Sequence, residues 1–316
     1  MDLLGEEINK KIPYDTYIAL GSFDGLHLGH RALVQKAIEV AKKNKGKSMI
    51  YTFKNHPLSI INKEIMPKLL MDNDMKIRVL DHIGVDYLSL INFSREFMEI
   101  SPEDFISNIV ENYNAKGIIV GFNYRFGYKN LGDITLLKKL SVKYNFKLYV
   151  INPIKQNNEL ISSSRIRNII SEQGDIKKAN SMLYVPFSIE GKVVRGRQIG
   201  REIGFPTINL DYNKDYVIPK GGVYSTIVKY KDKFYKGVTN IGYNPTVENQ
   251  KLSIETHILD FNNNIYDETI RVYFTGRIRD EKKFDSLEEL ACRIEKDKEY
   301  VEKQNLQLIS KNNLLL

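Results

Sequence analysis

The sequence predicts two domains in series, an α/β domain on a parallel sheet followed by a small antiparallel β-barrel with a carboxy-terminal helix. Three observations predict it. The chain has 316 residues, more than the roughly 100 to 200 of one ordinary domain. From Tyr17 to about Ile151 short apolar runs alternate with stretches of helical periodicity, the pattern of strands covered by helices on both faces. After Pro186 strand-length runs follow one another with turns between them and little helical pattern.

In the first half the expected strands are Tyr17–Leu20, Ser48–Phe53, Tyr87–Ile91, Gly117–Val120 and Lys147–Ile151. Between the first two, Leu33, Val34, Ala37, Ile38 and Ala41 recur on one helical face, and Pro102–Tyr113 and Ile134–Tyr144 read as further helices. Parallel strands bind ligands beyond their carboxyl ends, which directs attention to the loop after the first strand. In the second half the expected strands are Ser188–Val194, Thr207–Leu210, Gly222–Tyr230, Lys233–Ile241, Ser253–Phe261 and Thr269–Arg277. A last helix opens at Ser286, with Glu289 completing a capping box and Leu287, Leu290, Ala291 and Ile294 on one face. Cys292, inside that helix, is expected to be a packed core or flank residue.

Composition narrows the function. With 47 basic and 39 acidic residues the formal charge is +8, which favours an anionic partner, either nucleotide or nucleic acid. The densest basic cluster is Lys42, Lys43, Lys45 and Lys47, and no block of five like charges marks a nucleic-acid tail, so no nucleic-acid partner is expected. No apolar run approaches the roughly 18 residues of a membrane helix. Asp2, Glu6 and Glu7 stand where a signal peptide is basic and then apolar, so the expected location is the cytoplasm and no membrane partner is expected. A single cysteine excludes an internal disulfide or a zinc cluster.

The first chemical signal is Gly21-Ser22-Phe23-Asp24-Gly25-Leu26-His27-Leu28-Gly29-His30, between the first strand and the first long helix. Gly21, Gly25 and Gly29 let the backbone turn tightly and approach a ligand, while the helix start offers free N–H groups and a positive dipole end. His27 and His30, three apart, fall on one side of the first turn and are suited to donate to phosphate oxygens. The plainer alternatives are a metal pair, which lacks obvious further ligands, and a chance surface pair.

The second signal is the glycine-rich run Gly196 to Asn209. Thr207 and Asn209, two apart on a strand, share a face and offer hard oxygens suited to magnesium held jointly with ATP phosphates. Thr-x-Asn by itself is more often only a polar strand face. Glu255 by itself is more often an exposed strand carboxylate, and His257 shares its face.

Both halves resemble one family, the bacterial bifunctional riboflavin kinase and FAD synthetase, whose first domain is of the nucleotidyltransferase superfamily. In the first half the resemblance rests on Gly21 to His30, on Thr52-Phe53-Lys54-Asn55-His56-Pro57, on Gly121-Phe122-Asn123-Tyr124-Arg125-Phe126-Gly127 with Gly132-Asp133, and on Ile161-Ser162-Ser163-Ser164-Arg165-Ile166-Arg167. In the second, Pro206-Thr207-Ile208-Asn209 differs from the family's Pro-Thr-Ala-Asn only at Ile208, whose side chain faces away.

The resemblance implies a Rossmann-like FMN adenylyltransferase domain over 1–184 and a riboflavin kinase barrel over 185–316, converting riboflavin to FMN and FMN to FAD with ATP and Mg2+. It implies catalytic roles for His27, His30 and Glu255. It places Gly21, Phe23, Asp24, Gly25, Gly29, Asn123, Ser164 and Arg167 at the ATP of adenylyl transfer. At the kinase ATP it places Gly196, Arg201, Thr207, Asn209 and Tyr266, with Thr207 and Asn209 also at magnesium. On the flavin side it places Arg279, Lys282 and Phe284. One departure is Asp267, where the family usually has glycine. The competing readings are a nucleotidyltransferase for another acceptor, such as pantetheine phosphate, with an accessory barrel, and a non-catalytic flavin- or RNA-binding protein.

Overall fold

The structure, a computed structural model, describes residues 1–4, 11–196, 199–243 and 252–305. Glu6 and Glu7 near the amino terminus, and Arg197 and Gln198 in the second glycine-rich run, lie outside the described residues. The chain divides into two compact units, Met1–Pro67 with Asp72–Ser162, and Lys68–Met71 with Ser163–Leu316.

The first unit is built on six parallel strands: β1 (Asp2–Leu4), β2 (Thr16–Leu20), β3 (Lys47–Phe53), β4 (Tyr87–Ile91), β5 (Ala115–Gly121) and β6 (Lys147–Ile151). Their order is β1-β4-β3-β2-β5-β6, with every neighbouring pair parallel. The five expected strands are all present; β1, three residues at the sheet edge, is too short to show a period. After β2 the chain winds to one side of the sheet through β3 and β4, then returns to the other side for β5 and β6. The order reverses between β2 and β5, so the loops leaving these two strands flank the crevice where open α/β sheets bind ligands.

Helices cover the sheet where caps permit them to start. Ser101 accepts a hydrogen bond from the Asp104 N–H ahead of Pro102 at the start of the helix Pro102–Tyr113, and Asp133 does the same from Leu136 for the helix Ile134–Lys143. A further helix, Asn73–Ile83, is opened by Asp72 and closed by Gly84 at φ +90°. Its apolar face is interrupted by a lysine, which hid it from the periodicity. Ile18, Leu20, Met49, Ile118 and Val120 of the strands pack with Phe105, Ile106 and Ile109 of the helices in one core.

In the second unit two short helices, Ser163–Asn168 and Ile176–Met182, are joined by a π-helical turn. A barrel follows. After a small hairpin, β7 (Lys155–Gln156) and β8 (Glu159–Leu160), which belongs to the first unit, the barrel strands are β9 (Ser188–Val194), β10 (Thr207–Tyr212), β11 (Gly222–Tyr230), β12 (Lys233–Tyr243), β13 (Leu252–Ile258) and β14 (Thr269–Arg279). They close in the order β10-β13-β12-β11-β14-β9, all antiparallel. β13 stops at Ile258, short of the expected Phe261, because Asp260 turns the chain at φ +55°. Inside the barrel the hydroxyls of Thr226, Thr239 and Thr256 form a ladder at 2.8 and 2.9 Å that satisfies three buried polar groups.

The last helix, Leu287–Glu302, starts as expected, with Ser286 Oγ accepting from the Glu289 N–H at 3.1 Å. Its buried face is not the expected one. Leu287 is 48% exposed, and the buried residues are Asp297 and Val301. Asp297 accepts the Arg279 guanidinium at 2.8 and 2.9 Å, and Arg293 lies 3.3 Å away, so an ion pair joins the helix to β14. Cys292, expected to be packed, is exposed.

Candidate active sites

The glycine turn after β2 is held tightly. The Gly21 N–H donates to the Tyr51 carbonyl at 3.3 Å, and Thr52 Oγ1 donates to the Ser22 carbonyl at 2.9 Å. Gly25 takes φ +79°, while Phe23 and Leu26 are forced to +49° and +41°. Such left-handed geometry in bulky residues costs on the order of 1–3 kcal/mol each and persists only where the surroundings fix it. A Cβ on Gly29 would stand 3.0 Å from the His27 ring, so glycine there leaves room for that ring to fold over the helix start.

His27 caps the helix Leu28–Lys43. Its Nδ1 accepts from the backbone N–H groups of Gly29 (3.1 Å) and His30 (3.3 Å), a capping role the sequence reading did not assign to it. An Nδ1 that accepts carries no proton, so the ring is the neutral tautomer with its proton on Nε2, a donor. The His30 ring stacks on it at 3.7 Å between centroids and 16° between planes. The two imidazoles meet as expected, at the positive end of a sixteen-residue helix. Asp24 is buried in the same turn, and Asn123 is exposed on the loop after β5, on the other side of the crevice. Ser164 and Arg167 lie in the second unit, on the helix Ser163–Asn168. Arg167 Nε donates to the Lys68 carbonyl at 2.6 Å.

The barrel brings its own set together by register. Thr207 stands opposite His257, and Asn209 opposite Glu255, on β10 and β13. Directly opposed residues share a face, so all four lie on one side of the sheet. It is the outer side: Ile254, Thr256 and Ile258 alternate with them and are buried. On β12 Asn240 is opposite Glu255, extending the row to Asn209, Glu255 and Asn240, a member the sequence reading missed. A Cβ on Gly196 would lie 2.0 Å from Asn209 Nδ2, so glycine leaves the space this amide fills, and one on Gly200 would lie 3.3 Å from Thr207 Oγ1. The His257 Nδ1–H donates to the Pro206 carbonyl at 2.9 Å and the ring meets Phe205 edge-on, so His257 braces the turn into β10. Arg201 is exposed on the short helix Ile199–Glu202. The Arg195 guanidinium stands 5.3 Å over the Tyr266 ring.

Asp267 explains its own departure. Its φ is +67°, a left-handed conformation that glycine takes freely and aspartate tolerates. Its N–H bonds the Val193 carbonyl, and Lys192 pairs with its carboxylate at 2.8 Å, which holds that carboxyl below the ordinary aspartate range. On the segment after β14, the cations of Arg279 and Lys282 stand 5.7 and 5.5 Å from the centre of the Phe284 ring, and Lys282 pairs with Glu289. Arg279 is committed to Asp297. Among the described residues no three His, Cys, Asp or Glu side chains gather where they could hold a metal ion.

Sequence reading also missed Lys76. It lies on the buried face of the helix Asn73–Ile83 with Met75, Val79 and Leu80, and a lysine at that spacing was the available signal.

A glycine turn with two stacked imidazoles at the switch point of a parallel sheet defines a nucleotidyltransferase module, and the barrel is a separate module with its own polar face. Family models agree with this division: the FAD synthetase model matches residues 9–165 and the riboflavin kinase model matches residues 183–305. The bifunctional riboflavin kinase/FMN adenylyltransferase of Buchnera aphidicola subsp. Schizaphis graminum is 36% identical over 299 residues, 93% of this chain and 95% of that one. That of Listeria monocytogenes is 36% identical over 286 residues, 89% and 90% of the two chains. A crystal structure from Streptococcus pneumoniae, described as a macrolide-efflux protein, is similar at a TM-score of 0.87 and 30% identity, over 96% of this chain and 100% of that one. The chain belongs to the family of bifunctional riboflavin kinase/FMN adenylyltransferases.

Proposed function

We propose that this chain makes FMN and then FAD, each step with its own ATP. The kinase step is assigned to 185–316. Glu255 takes the proton of the riboflavin 5′-hydroxyl as that oxygen attacks the γ-phosphorus of ATP, and ADP leaves. The adenylyl step is assigned to 1–184. A phosphate oxygen of FMN attacks the α-phosphorus of a second ATP, and pyrophosphate leaves. That nucleophile is already anionic, so fixed donors serve the step better than a base. His27 Nε2–H and its stacked neighbour His30 supply them, stabilising charge as it grows on the α-phosphate.

The observation that supports this reading most is that one chain carries two separate polar sets of the right chemistry, the imidazole pair at a helix start and the Thr207, Asn209, Glu255 face on the barrel. Around the first, Gly21, Phe23, Asp24, Gly25, Gly29 and Asn123 shape the ATP site, and the assignment of Ser164 and Arg167 to the triphosphate rests on the family resemblance. Around the second, Gly196, Arg201 and Tyr266 border ATP, while Lys282 and Phe284 offer the flavin side and Arg279 holds that segment through Asp297. The hydroxyl of Thr207 and the amide oxygen of Asn209 fit magnesium, a hard cation that keeps several waters and phosphate oxygens, and when bound it neutralises phosphate charge. Among the described residues no helix is long and apolar enough to cross a membrane, and the reading places the enzyme in the cytoplasm without a nucleic-acid partner.

The test is direct: the protein, riboflavin, ATP and magnesium are incubated and the flavins separated. FMN and FAD are expected, with ADP and pyrophosphate. No flavin product with either oxidised or reduced riboflavin refutes the reading.

A further inference from the structure

We propose that Lys76 is a positioning residue for FMN adenylylation, its buried ammonium fixing the turn 21–26 that aims His27. The inference rests on the adenylyl-transfer reading given above. Lys76 is 5% exposed, and its Nζ lies 3.4 Å from the Ser22 carbonyl and 3.3 Å from the Phe53 carbonyl. The Ser22 carbonyl also accepts from Thr52, so two donors from two elements fix one peptide plane. That plane immediately precedes Phe23, the first of the left-handed residues. Lys76 therefore acts where the turn needs an external constraint.

Packing does not account for a charge at this place. Met75, Val79 and Leu80 fill the same helix face, and a leucine or methionine would cover the sheet without the penalty of burying an ammonium. A buried charge is retained where it is paired. The ionisable groups acting on Lys76 are Asp24 on the turn and Asp72 at the start of its own helix, while β3 offers it the Phe53 carbonyl. The lysine thus joins three elements, its own helix, the turn and β3, and the field of the buried Asp24 favours its charge. Its role is to position, and its effect passes through the turn residues Ser22 to Leu26 to His27.

The charge state supplies a signature that a packing role lacks. Burial brings Lys76 down to about 8, against the raising fields of Asp24 and Asp72. The ammonium is charged at neutral pH and loses its proton as pH rises through that value, which weakens its hold on the Ser22 and Phe53 carbonyls. FAD synthesis from supplied FMN should fall along this alkaline limb, and riboflavin phosphorylation should not.

The experiment compares the full-length protein with Lys76→Met and Lys76→Arg, measuring both activities against pH on the same samples. The Met variant should lose about tenfold to a hundredfold in kcat for FAD synthesis. Its KM values for ATP and FMN should stay within about threefold, because the lost interaction is one of aim rather than of binding. Its kinase rate should be unchanged and its alkaline limb absent. The Arg variant, charged throughout, should recover part of the rate and lack the limb. A Met variant that matches the parent in rate and limb overturns the proposal. If the Met and Arg variants do not fold, the parent decides it: FAD synthesis that does not decline above pH 8 relative to the kinase overturns the proposal. A parent that makes no FAD at all refutes the functional reading, an outcome distinct from a parent that makes FAD and a Met variant that equals it.

Discussion

Asn209 and Glu255 stand directly opposite each other on β10 and β13, with Asn240 opposite Glu255 on the far side. This register sets a carboxylate between two amides on the outward face of the barrel, the arrangement on which the proposed base role of Glu255 rests.

Glu255→Gln should therefore lower riboflavin phosphorylation by roughly 10²- to 10⁴-fold, the usual range for a lost general base, with little change in KM for ATP. FAD synthesis from supplied FMN should be spared. The pH profile separates a base from a scaffold: the limb of falling kinase rate toward acid should vanish in the variant. An unchanged limb, or a defect confined to Mg-ATP binding, would leave Glu255 as an organiser.

Gly196→Ala tests the same face from its edge. The added methyl would lie 2.0 Å from Asn209 Nδ2, and the cheapest relief is to swing that amide aside. The fold should tolerate this, because only the end of a side chain moves. Kinase KM for ATP should rise while the melting temperature barely changes; a fully active Gly196→Ala would show that the position of Asn209 does not matter.

The imidazole pair predicts a split between its members. His30→Ala should remove a donor worth about 3 kcal/mol in comparable sites, lowering FAD synthesis more than a hundredfold with the kinase intact. His27→Ala should do this and also lose the helix cap, a further cost of about 1 kcal/mol of stability. Equal unfolding midpoints for the two variants would contradict the capping role.

Asp297→Ala should destabilise the second unit by about 3–5 kcal/mol, since it leaves the Arg279 guanidinium without the buried carboxylate it grips. Chemical denaturation followed by kinase activity reads this. Midpoints within error of the parent would mean that the last helix is held by Val301 and its apolar neighbours alone.

A fragment of residues 185–316 should phosphorylate riboflavin and make no FAD, whereas 163–316 should do the same with a higher melting temperature. The reason is the helix Ile176–Met182: Ile176, Ala179 and Met182 are fully buried, and Asn180 bonds both the Phe274 carbonyl and the Phe187 N–H. FAD formation by either fragment would overturn the assignment of adenylyl transfer to the first domain.

Local chemistry alone determined most of the strands, the helices with an unbroken apolar face, and the two motifs. Tyr87–Ile91, Lys147–Ile151, Ser188–Val194 and Gly222–Tyr230 are strands with the bounds their apolar runs and turn residues mark. The glycine turn and the Ser286 cap are equally local, since each involves groups within a few residues. Tertiary structure decided whatever depends on residues distant in sequence. The strand order that sets the glycine turn beside β5, the closure that puts Asn209 against Glu255 across 46 positions, and the burial of Asp297 instead of Leu290 on the last helix arise from long-range pairing. Lys76 shows the limit most clearly. In sequence it is a lysine interrupting an apolar face, and only the fold, by bringing the Ser22 and Phe53 carbonyls to its ammonium within the field of Asp24, offsets the cost of its burial.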